Sequence, residues 1–62
     1  MNLKEASENI GKRVLYKPFK GCSKELFEYG VIVSTNNRNV FVLYDSDRYN
    51  SKATKAEDIQ FI

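Results

Sequence analysis

The sequence has no histidine and no tryptophan, one cysteine (Cys22), one proline (Pro18) and three glycines. A single cysteine excludes an intramolecular disulfide, and the lack of histidine removes the usual zinc patterns. It also removes the common base of a nucleophilic site, because no His or paired acid stands beside Cys22 to activate it. No apolar run approaches the ~20 residues of a membrane-spanning helix. The opening Met1-Asn2-Leu3-Lys4-Glu5 lacks the basic-then-apolar form of a signal peptide, so the expectation is a cytoplasmic protein with a reduced thiol. Neither sign of charge dominates: ten basic against eight acidic residues leave a net charge of +2. That balance permits a nucleic-acid partner without arguing for one. Repeats, low-complexity tracts and linkers are absent.

What is present is one domain, residues 1–62, in a size range where folded chains bury only about 60% of their unfolded surface. A sheet curled on itself suits so small a core. The stretch from Tyr29 to Asp47 organises it. Val31, Ile32 and Val33, then Val40, Phe41, Val42, Leu43 and Tyr44, are β-branched or large apolar residues suited to a pleated surface. Between them Thr35-Asn36-Asn37-Arg38-Asn39 is a turn, since asparagine hydrogen-bonds its own backbone and tolerates turn conformations. The apolar runs are continuous, which predicts strands covered on both faces.

Taken in order, the chain begins with a helix from Leu3 to Glu8. Asn2 is its N-cap, Glu5 its third-position acid, and Leu3, Ala6 and Ile10 its apolar stripe. That stripe is expected to cover one open end of the barrel. Gly11 ends the segment, dividing a helical 1–10 from a barrel at 11–62. Lys12–Lys17 reads as the first strand, stopped by Pro18. A long loop, Phe19–Leu26, leads through Phe27 and Glu28 to the second strand, where Gly30 marks a bulge or sharp bend. A polar turn at 45–50, a strand at Ser51–Thr54, a capped helical turn (Thr54 with Glu57) and a closing strand, Ile59–Ile62, complete the chain. Phe41 and Phe61 are assigned to the core, and Tyr16, Tyr29, Tyr44 and Tyr49 to the barrel's edge.

This order of elements, with Gly11-Lys12-Arg13-Val14, the Gly-Val-Ile-Val second strand, Val-Phe-Val-Leu-Tyr-Asp and Glu57-Asp58-Ile59, resembles the SH3-like small barrels, Tudor domains most of all. The resemblance covers Gly11 to Ile62. It implies an all-β fold, a five-stranded small barrel with a short N-terminal helix. Tudor domains hold methylated lysine or arginine in an aromatic cage, and the matching positions are Phe19, Tyr29, Tyr44 and Tyr49, with Asp45 or Asp47 as charge partner. The runs Tyr-Lys-Pro-Phe-Lys-Gly-Cys, Glu-Tyr-Gly-Val and Val-Phe-Val-Leu-Tyr are also similar to small bacteriophage proteins of unknown function, which implies the cytoplasm of a bacterial host.

Two binding surfaces follow. Phe19, Tyr29, Tyr44, Asp45, Asp47 and Tyr49 form the candidate contact set for a protein partner, such as a host protein modulated by a phage accessory factor. Lys17, Lys20, Lys24, Arg38, Arg48 and Lys52, interleaved with Phe19 and Tyr49, form the alternative, a nucleic-acid surface. Glu25, Glu28 and Asp47 offset the charge of the second set. Asp45, Asp47 and Asn50 lack the glycine and distal acid of a calcium loop. The expectation is a non-enzymatic binding module without cofactor or metal, a monomer or weak homodimer through the apolar Phe61-Ile62 edge.

Overall fold

The computed structural model describes all 62 residues, Met1–Ile62. In chain order they form α1 (Leu3–Ser7), β1 (Arg13–Tyr16), a first 3₁₀ turn (Lys24–Leu26), β2 (Glu28–Thr35), β3 (Val40–Tyr44), β4 (Lys52–Thr54), a second 3₁₀ turn (Ala56–Asp58) and β5 (Ile59–Phe61). The strands make one antiparallel sheet in the order β4-β3-β2-β1-β5. The sheet is not closed, so β4 and β5 are both edges.

The capping box at the start of α1 is present in full. The Asn2 side chain accepts from the Glu5 N–H at 2.8 Å, and the Glu5 carboxylate accepts from the Asn2 N–H at 3.1 Å. Ala6 is buried and Met1 and Leu3 pack on the core, so α1 lies against the inner face of the sheet. The helix ends at Ser7, and Ile10 is 49% exposed, off the expected stripe. The reason is local: the chain leaves the helix and turns at Gly11, whose φ of +92° favours glycine.

The central hairpin forms as expected, and Asn36 makes its turn. The Asn36 Oδ1 accepts from the N–H groups of Arg38 and Asn39 at 2.8 and 2.7 Å, while the Asn36 N–H donates to the Asn39 carbonyl at 3.0 Å. Two details differ. Gly30 carries no bulge; the register shifts between Ile32 and Ser34, which makes Val33 the extra residue. Gly30 is needed for space, because a Cβ there would lie 2.5 Å from the Leu43 carbonyl oxygen and 2.9 Å from the Tyr44 Cα.

Cover on both faces, predicted from the continuous apolar runs, is not what the sheet has. Along β3, Val40, Val42 and Tyr44 are buried while Phe41 and Leu43 are half-buried. The core is aliphatic: Val14, Ile32, Val40, Val42 and Ile59, with Tyr44, Ala6 and Ala56. Neither Phe41 nor Phe61 belongs to it. Strand alternation turns Phe41 to the outer face, and Phe61, on an edge strand, stays 40% exposed. The outer face thus carries Leu15, Val31, Phe41 and Leu43 half-buried and Tyr29 exposed, while α1 packs on the opposite face.

The predicted Thr54–Glu57 cap is absent. The second 3₁₀ turn has no side-chain cap, and the Thr54 hydroxyl instead meets the Tyr44 hydroxyl at 2.8 Å and the Lys52 carbonyl at 3.3 Å. A buried phenol needs a partner, and that need outweighs a helix cap. No helix is long and apolar enough to cross a membrane.

Candidate functional site

Asp45 follows the last residue of β3 at the margin of the outer face. Its N–H donates to the Tyr29 carbonyl at 2.9 Å, which fixes the end of β3 beside the start of β2. Register aligns Arg13 of β1 with Val31 of β2 and Val31 with Leu43 of β3. The Arg13 side chain spans that row and meets Asp45 in a two-pronged pair, Nη1 to Oδ1 and Nη2 to Oδ2, each 2.8 Å. Both side chains are about half exposed, so the pair adds geometry more than stability. The Arg13 hydrogen bond holds the Asp45 carboxyl below the usual carboxylate range, and the Arg48 charge acts in the same direction.

Two shallow hollows meet at Asp45. One, of about 250 Å³, is lined by Arg13, Val31, Leu43, Tyr44 and Arg48. The other, of about 210 Å³, is lined by Phe27, Glu28, Tyr29 and Ser46. The Lys17 ammonium lies over the Phe27 ring, 5.3 Å from its centre, which places a cation at the same rim. The result is an apolar strip with Tyr29 42% exposed, crossed by one ion pair and bordered by Arg48 and Lys17.

Of the candidate contact residues, Tyr29 and Asp45 line one hollow, Tyr44 borders the other beside Asp45, and Phe19, Asp47 and Tyr49 line neither. Tyr44 is 4% exposed on the inner face, its ring edge-on to Tyr16 at 5.9 Å. Burial pushes its hydroxyl pKa up, the Thr54 hydrogen bond opposing. It is a core residue, not an edge contact, because Gly30 stands opposite it and alternation sends Tyr29 to the other face. Asp47 builds its own turn, accepting from the N–H groups of Tyr49 and Asn50 at 3.1 and 3.3 Å. Tyr49 is 95% exposed at that turn. Phe19 lies elsewhere, in a hollow shared with Lys17, Lys20, Glu57 and Asp58. Phe19, Tyr29, Tyr44 and Tyr49 therefore do not converge into one cage.

The basic set is likewise dispersed. Lys17 and Lys20 share their hollow with two acids, Lys24 lies in the first 3₁₀ turn, Arg38 in the β2–β3 turn, Arg48 beside Asp45, and Lys52 at the start of β4. No group of three or more His, Cys, Asp and Glu side chains could hold a metal ion. Cys22 is half-buried in the first loop.

The chain matches no protein-family model, no curated protein and no solved structure.

Sequence reasoning missed Arg13, Leu15, Val31 and Leu43 as members of this surface. A signal was present: an antiparallel strand with one wet face alternates apolar and polar residues, and Val40 to Tyr44 does not.

Proposed function

We propose that the protein is a non-enzymatic binding module, a small SH3/Tudor-like barrel, that holds a protein partner on the outer face of its sheet. One observation carries the reading: the outer face is apolar where an antiparallel sheet with a single covered face is ordinarily polar. Tyr29 is the anchor, Leu15, Val31 and Leu43 the apolar surround, and the Arg13–Asp45 pair with Arg48 the polar rim that sets orientation. Should the chain be phage-encoded, the partner is a protein of the bacterial host. A nucleic-acid partner is less well supported, since the cations are scattered and those beside Phe19 face Glu57 and Asp58.

Affinity capture from a lysate of the source cells tests this reading. Tyr29→Ala is expected to weaken retention of a specific partner by roughly 30-fold or more, the effect of losing an aromatic anchor. Tyr49→Ala, at the most exposed aromatic, leaves retention unchanged. Equal retention by wild type and Tyr29→Ala, with folding verified by circular dichroism, would sink the proposal.

A further inference from the structure

A cleft of about 360 Å³ lies between β4, the end of β1 and the second 3₁₀ turn. The Tyr16–Tyr44 pair contributes its aromatic lining, the rings 65° to one another and Tyr44 tied to Thr54. Four charged groups line it as well. Glu28 comes from β2 and Asp58 from the second 3₁₀ turn, Lys52 from β4 and Lys55 from the residue after it. None of the four is in a salt bridge, the Arg13–Asp45 pair being the sole one in the protein. Both carboxylates act on the Tyr44 hydroxyl, adding to the rise that burial causes, so their field reaches the aromatic floor.

The same cleft has a strand edge for a wall. The Asp45 N–H bonds the Tyr29 carbonyl, so the backbone groups of Asp45 and Leu43 point toward β2 and those of Val42 and Val40 toward β4. Their partners on β4 are Lys52 and Thr54. Alternation then turns the Ala53 N–H and C=O outward, free for another strand.

We propose that this cleft binds an extended segment of a partner protein carrying one cationic side chain flanked by acidic residues. The segment pairs with the Ala53 backbone as an added strand. Its cation lies against the half-buried Tyr16 ring, which Tyr44 backs from the core, between Glu28 and Asp58, and its acids meet Lys52 and Lys55. A polybasic segment meets repulsion from the two lysines, and an uncharged one leaves two carboxylates desolvated without a partner. This site shares Glu28 with the Tyr29 hollow and Tyr44 with the other Asp45 hollow, but its remaining lining belongs to neither, and it stands whether or not the outer face binds a partner.

The probe is an acetylated, amidated peptide, Glu-Val-Arg-Val-Glu, titrated into the ¹⁵N-labelled protein and followed by amide shifts. Saturating shifts centred on Ala53, Tyr16, Tyr44 and Asp58 are expected. Replacing the peptide's arginine with citrulline, or introducing Glu28→Gln or Asp58→Asn in the protein, weakens binding about tenfold. Spectra of the free variants establish that they remain folded. Absence of saturation, equal affinity for the citrulline peptide, or shifts centred on Tyr29 and Asp45 would overturn the proposal; the last would still leave the outer-face reading standing. Shifts in this cleft on concentrating the protein alone would assign it to a second copy and overturn the proposal too.

Discussion

Replacing Gly30 with alanine is expected to destabilise the protein by about 3 kcal/mol, a large share of the stability available to a domain of this size. The cause is space and not backbone conformation, since Gly30 is not among the positive-φ glycines. An added methyl would sit 2.5 Å from the Leu43 carbonyl oxygen, 2.8 Å from Val42 Cγ1 and 2.9 Å from the Tyr44 Cα. Two of those three atoms are backbone on the paired strand, so relief requires β2 and β3 to separate where Asp45 is anchored to Tyr29. The gain from a stiffer unfolded chain, about 0.4–1 kcal/mol for Gly→Ala, opposes this and is smaller. Urea unfolding followed by circular dichroism checks it. A midpoint equal to that of wild type would show that the strands are not so closely apposed at Gly30.

The second large effect is a contrast between neighbours. Ile32 is fully buried and Val33 is 39% exposed at the bulge, although both are β-branched residues in the same apolar run. Ile32→Ala is expected to cost about 3 kcal/mol through lost burial and the cavity left behind. Val33→Ala should stay within about 0.5 kcal/mol, the range of a surface change. Thermal or urea unfolding of the two variants side by side measures the difference. Comparable losses would mean that both faces of β2 are covered and that the outer face is not free for a partner.

That contrast also explains which parts of the fold were legible in the sequence. The capping box, the Asn36 turn, the apolar strands and the stop at Pro18 are local, each set by residues within a few positions, and each forms. Residue type assigns Phe41 and Phe61 to the core, but burial depends on which face alternation selects and on what lies beyond an edge strand. Neither is written in residue type. Thr54 was misread for a similar reason: its hydroxyl had a local use as a cap and a distant one with the Tyr44 hydroxyl, ten residues away, and the distant use prevailed.

The candidate site divides along the same line. Tyr29 and Asp45 were visible as a polar-tipped aromatic and an acid at the ends of strong strands. Arg13 was not, because its partner lies 32 residues away and two strands over. The resemblance to Tudor domains implied a cage from four aromatics, but one residue of register, Gly30 opposite Tyr44, sends Tyr29 and Tyr44 to opposite faces. In place of a cage, two shallow hollows meet at Asp45.

Direct evidence for the outer face comes from a photo-crosslinking amino acid placed at Tyr29 in one protein and at Glu8, exposed at the end of α1, in another. After irradiation in source cells, Tyr29 is predicted to yield a discrete heavier adduct containing one partner protein, and Glu8 none. An adduct from Glu8 with none from Tyr29 would contradict the account, and so would no adduct from either position.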